Sequence, residues 1–121
     1  MNAPLRAPQV MLPMTLGVVI DVDDPLDQAR VKVRLHAFAG VDGQGGEVWA
    51  RAAMPVAGDG YGTLFVPDVD DQVVVAFLNG DPRDPVVLGA LYHGQAQPAD
   101  KAVEGGGVKR WTITGHKGTR I

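Results

Sequence analysis

Cysteine is absent from the 121 residues, and so is serine. The first absence removes disulfides, thiolate nucleophiles and sulfur-based zinc sites together, and leaves redox chemistry silent about compartment. Both absences together remove the two commonest acyl-transfer nucleophiles. Aromatic residues are scarce, with two Trp, two Tyr and three Phe, so stacking platforms are few. No apolar run approaches the roughly 20 residues of a membrane span. The opening MNAPLRAPQVMLPMT carries one Arg and three Pro but no apolar core of signal-peptide length, so a soluble chain without stable membrane insertion is expected. Basic charge is also short: the net charge of −3 and pI near 5.4 provide no uniform field for a polyanion.

What is present points to one domain of many short elements. The length is enough to bury a core without staples, and 45% hydrophobic with 21% charged residues is ordinary globular composition. Sixteen Gly and nine Pro imply frequent turns. The Pro-interrupted residues 1–14 read as an N-terminal arm. TLGVVID (15–21) is a β-branched strand ending in the turn chemistry of DVDDPLDQ. ARVKVRLHAF (29–38) alternates, placing Val31, Val33 and Leu35 on one face and Arg30, Lys32, Arg34 and His36 on the other. After the loop GVDGQGG (40–46) come EVWARAAMPV (47–56), the glycine turn AGDGYG (57–62), and TLFVP (63–67), read as a buried strand. QVVVAFL (72–78) and PVVLGALY (85–92) are further strands, joined through Asn79-Gly80, a strong hairpin signal. HGQAQPADKAVEGGG (93–107) is the one place suited to a short helical turn. VKRWTITGHKGTRI (108–121) returns to a β pattern. The expected fold is all-β: a small OB-fold-like antiparallel barrel of five to six strands over residues 15–98, then a linker and the start of a β segment over 99–121.

The polar clusters read as turns. Asp21, Asp23, Asp24 and Asp27 superficially resemble a calcium loop, but Pro25 occupies a ligand position and no distal glutamate follows, so a solvated hairpin turn is expected. Asp68, Asp70 and Asp71 receive the same reading. AGDGYG lacks the following helix a phosphate loop needs. His36, His93 and His116 show no metal-ligand spacing. Glu47 and Glu104 are the only glutamates for a two-carboxylate hydrolase. No catalytic, cofactor-binding or metal residue is assigned, and no cofactor is expected.

Three phrases in series carry a resemblance: WARAAMPVAGDGYG, FVPDVDDQVVVAF and NGDPRDPVVLGALYHG, preceded by GVVIDVDDPLDQARVKVRL. Residues 15 to about 98 resemble the OB-fold module of the VgrG and phage baseplate assembly protein V family, the central spike proteins of contractile tails and related injection systems. KRWTITGHKGTRI resembles that family's entry into the spike shaft. One departure is that the family commonly has a glycine in the turn where this chain has Asp70 and Asp71, which leaves the turn type open. The long N-terminal hub of type VI chains is not seen here, so the resemblance is nearer to a compact phage-type spike protein or an excised module.

The resemblance implies a structural, non-enzymatic protein. It implies a homotrimer forming a collar between tail hub or tube proteins above and a spike shaft or tip protein below. Assembly would take place in the bacterial cytoplasm, with the finished particle holding the chain in a tail baseplate or injection spike. Trp111, Ile113 and Ile121 would lie in a terminal strand without a partner inside the chain, to be covered by self-association. Tyr92 and His93 are the residues whose mutation would impair assembly. The alternative is an OB-fold binding module for single-stranded nucleic acid or oligosaccharide, with Arg30, Lys32, Arg34, Trp49 and Arg51 as its face. Acidic balance and few aromatics count against that alternative, and no nucleic-acid partner is expected.

Overall fold

A computed structural model of the chain describes residues 14–36 and 46–121. The expected arm, except residue 14, and most of the 40–46 loop lie outside them. The chain divides into two compact units, Met1–Leu91 and Tyr92–Ile121.

The first unit is a closed five-stranded barrel. Its strands are β1 (Thr15–Asp21), β2 (Val31–Leu35), β3 (Glu47–Ala52), β6 (Gln72–Phe77) and β7 (Pro85–Leu91), and a separate hairpin of β4 (Ala57–Gly58) and β5 (Tyr61–Gly62) leaves the barrel between β3 and β6. Around the barrel the order is β1-β2-β3-β7-β6. Four of its junctions are antiparallel, as expected, and β3 meets β7 in parallel, with Arg51 opposite Val86 and Ala52 opposite Val87. That parallel seam closes the barrel and removes the edges an open sheet would expose.

Period-two burial builds the core. Val31, Val33 and Leu35 of β2 and Val73, Val75 and Phe77 of β6 all face inward, joined by Val19, Ala50 and Val87. β-Branched valine suits a narrow barrel, because its stiff, compact side chain fills the interior without costly rotamer loss. Register shifts between Val19 and Asp21 in β1, and between Val74 and Val75 in β6, mark bulges that sharpen the curvature needed for closure.

TLFVP departs from its expected state. Residues 63–67 form no strand, and Leu64 and Phe65 are 72% and 58% exposed. The barrel already closes with five strands, so no edge remains for a sixth. Gly62, at φ +140 with a Cβ position 2.5 Å from the Val56 carbonyl oxygen, turns the chain outward just before the segment.

The second unit contains a hairpin of β8 (Val103–Glu104) and β9 (Gly107–Val108) in the region expected to hold a helical turn. Gly105 and Gly106 both have positive φ there, which a helix would not accept. The terminal segment is not a lone strand either: Ile113 and Ile121 exchange backbone hydrogen bonds of 3.0 and 2.8 Å, so it pairs with itself. No residue from Tyr92 to Ile121 is buried.

Candidate functional site

The strongest polar node lies at the β1–β2 connection, where all four aspartates were expected to be solvated. Asp24 instead has a side chain only 3% exposed. Its carboxylate accepts five hydrogen bonds, from the backbone N–H groups of Leu26 (2.9 Å), Gln28 (2.8 Å) and Arg30 (3.1 Å) and from Arg30 Nε (3.1 Å) and Nη2 (2.7 Å). The hydrogen-bonded Arg30 guanidinium holds the Asp24 carboxyl far below the usual carboxylate range, overcoming desolvation, and the three backbone donors act in the same direction. Asp24 in turn raises the Arg30 pKa. The loop it organises is strained, with Asp27 at φ 55 and Ala29 at φ 58. Asp21 keeps the expected role, accepting only the N–H of Asp23 at 2.9 Å.

Arg30 also lies over the Trp49 ring, 5.4 Å from its centroid. Further along the same face, Arg34 Nη2 is 3.0 Å and Lys32 Nζ 4.0 Å from the Glu47 carboxylate. Three of the five residues that the alternative binding-module reading would use as its face are therefore ion-paired within the chain, and Trp49 is capped by one of them. Arg51, the fifth, pairs with Asp84 at 3.1 Å. Three carboxylates (Asp24, Glu47 and Asp84) and a cation–π contact thus occupy the groups that would have to meet a polyanion.

The segment 78–84 is a double turn. Asp81 N–H donates to the Leu78 carbonyl and Asp84 N–H to the Asp81 carbonyl, each at 3.0 Å, while Leu78 N–H closes the loop on Asp84 O at 3.0 Å. Asn79 (φ 55) and Gly80 (φ 70) take the left-handed geometry that makes Asn-Gly a hairpin signal. Arg83 folds back on Asp81, donating at 2.9 and 3.1 Å, and lowers its pKa. The polar concentration is a rigid connection, as its sequence implied.

The other acidic turn is tied to β1: Asp70 N–H donates to Val19 O at 2.8 Å and Val19 N–H to Asp71 O at 3.0 Å. Asp70 sits at φ 78, in the left-handed region. AGDGYG is the β4–β5 hairpin, and a Cβ on Gly58 would fall 2.4 Å from the Tyr61 ring. Among the described residues, no group of three or more His, Asp or Glu is placed to hold a metal ion. His93 Nδ1 accepts the N–H of Gln95 at 3.3 Å and closes a turn with Ala96. Also among the described residues, no helix is long and apolar enough to cross a membrane.

The first unit also exposes apolar side chains beside the β4–β5 hairpin. Val56, Tyr61, Leu64, Phe65 and Val69 are all exposed, joined locally where Thr63 N–H donates to Val56 O and Phe65 N–H meets Met54 Sδ.

Comparison with known proteins agrees with that geometry. Residues 15–92 match the family described as the type VI secretion system/phage-baseplate injector OB domain, a span that covers the barrel from β1 through β7. The chain belongs to this family. It is 43% identical over 67 residues to the type VI secretion system spike protein VgrG4b of Pseudomonas aeruginosa, a match covering 53% of this chain and 8% of that protein. It is 47% identical over 45 residues to the spike protein VgrG3 of Vibrio cholerae (37% of this chain, 4% of that protein). It is 32% identical over 99 residues to the actin cross-linking toxin VgrG1 of Vibrio cholerae (78% of this chain, 9% of that protein). The chain thus spans less than a tenth of the length of these relatives.

Proposed function

We propose that this chain is a structural spike or baseplate hub component of a contractile phage tail or tail-like injection system, without enzymatic activity of its own. In this reading the barrel module, residues 15–98, is one third of a trimeric collar between a tube hub above and a puncturing shaft below, and residues 99–121 lead into the shaft. It would be assembled in the bacterial cytoplasm and carried outward as part of the particle. Sheath contraction supplies the work, and the module transmits load.

The observation that carries the reading is the coincidence of the family match, residues 15–92, with the closed five-stranded barrel. The internal pairing of Arg30, Lys32, Arg34 and Arg51 supports it further, since an oligonucleotide would have to displace those carboxylates.

The test is a graft. Residues 15–98 replace the matching OB segment of the Pseudomonas aeruginosa spike protein, and injection by the host system is scored. Retained trimeric spike and retained injection are expected, while a folded graft that leaves the spike unassembled refutes the collar role. Filter binding of a labelled oligonucleotide at low salt is expected to show no tight salt-sensitive retention, and such retention would favour the binding-module reading.

A further inference from the structure

The second unit holds a strand-forming segment that the single chain folds onto itself. Ile113 and Ile121 exchange two backbone bonds, Gly115 N–H donates to Thr119 O at 2.7 Å, and Thr114 bridges Arg120. Arg120 Nη2 lies 2.7 Å from both oxygens of Asp100, and its Nη1 donates to Thr114 Oγ1 at 3.3 Å. One guanidinium therefore joins the returning end of the chain to the segment that precedes the β8–β9 hairpin. A second cation braces that hairpin: Arg110 donates to the Lys101 carbonyl and pairs with Glu104 at 3.3 Å.

Nothing apolar secures this arrangement. Trp111 is 92% and Ile121 78% exposed, and the unit buries no residue. Thirty residues without a buried side chain cannot offset their ordering entropy by packing, so polar contacts decide which conformation is held. The fold-back takes up the inward-facing backbone groups of Ile113, Gly115, Thr119 and Ile121, so a neighbouring strand cannot pair along that edge while it is closed.

We propose that the Asp100–Arg120 pair is a latch that keeps the terminal segment self-paired in the single chain, and that its opening exposes residues 108–121 to pair with other copies of this chain. The inference rests on the proposed self-association. The latch lowers the fraction of chains competent to associate, and the apparent affinity falls by that fraction. It delays pairing of exposed edges until the local chain concentration is high enough.

The test uses the full chain with Asp100→Asn, Arg120→Gln and the charge-exchanged double variant Asp100→Arg/Arg120→Asp. Amide exchange at Ile113 and Ile121 reports opening, light scattering against concentration reports association, and far-UV circular dichroism checks the barrel. Each single variant is expected to exchange roughly two- to fivefold faster at the two amides, in keeping with a partly exposed pair made through one guanidinium nitrogen. If every chain of a trimer must open, half-assembly moves to about three- to tenfold lower concentration. The double variant returns both towards wild type. Unchanged exchange in the single variants overturns the latch, and so does faster exchange without easier association, including a chain that stays monomeric throughout. The graft of residues 15–98 lacks the latch entirely, so its success alongside a failed latch leaves the collar reading standing.

Discussion

Asp24 Oδ1 receives both Nε and Nη2 of Arg30, at 3.1 and 2.7 Å, while its Oδ2 receives the backbone N–H of the same arginine at 3.1 Å. A single carboxylate therefore fixes both the position of Arg30 and the path of the chain leading to it. Replacing Asp24 by Ala removes at once the acceptor of three backbone N–H groups and a guanidinium. The expected melting-temperature drop is clearly larger than that for Asp81→Ala, whose partner Arg83 is 88% exposed, and thermal melts of the two variants check the order.

Acid sensitivity follows from the same carboxylate. Its folded-state pKa is depressed, so the stabilisation is complete above the unfolded value of about 3.9. It shrinks as pH falls below that value towards the folded pKa. Stability of the wild type measured in urea from pH 6 to pH 2.5 is expected to decline more steeply than that of Asp24→Asn, which has no proton to bind there. Parallel curves would contradict the assignment.

Positive φ at non-glycine residues gives a prediction of opposite sign. Ala29 pays the left-handed penalty without a polar side chain to offset it, so Ala29→Gly is expected to stabilise by about 0.5–1 kcal/mol after the entropy cost of glycine. Asp70→Gly is expected to gain less, because Asp tolerates that region better. Denaturant midpoints at constant slope distinguish the two.

The barrel core sets the larger scale. Val33 of β2 and Val75 of β6 are fully buried, and truncating either to Ala removes two methyl groups and leaves a cavity, for a loss of about 2–3 kcal/mol. Leu64→Ala, at a 72% exposed position, is expected to change the stability of the isolated chain by less than about 0.5 kcal/mol. Urea unfolding of the three variants provides the comparison.

Arg51 and Asp84 pair beside the parallel seam, yet both side chains are substantially exposed, at 59% and 43%. Arg51→Ala is expected to cost less than about 1 kcal/mol, and less again at 1 M salt. A larger, salt-insensitive loss would mean that the seam depends on that contact.

Much of the barrel was legible along the chain because its causes are local. TLGVVID and VVVAF are apolar and β-branched, VKVRL alternates with period two, and Asn79-Gly80 brings its own backbone preference; the corresponding strands and turn stand where expected. The family phrases, too, are linear strings and needed no coordinates. TLFVP misled because its composition suits a buried strand as well as β6 does, and only closure of the barrel decides that no edge is left for it.

The sequence by itself determined that this protein is all-β, that Val31, Val33 and Leu35 share one face of their strand, and which family it belongs to, since side-chain alternation and turn preference act over a few residues. Tertiary structure alone decided that the Asp24 side chain is withdrawn from solvent and shared with Arg30, that β3 and β7 meet in parallel, that the basic strip is neutralised by Glu47 and Asp84, and that Ile113 turns back on Ile121. The parallel seam and its Arg51–Asp84 pair join residues more than thirty positions apart. The shorter-range contacts depend on how a loop folds in three dimensions. Neither is written in the spacing of residue types along the chain.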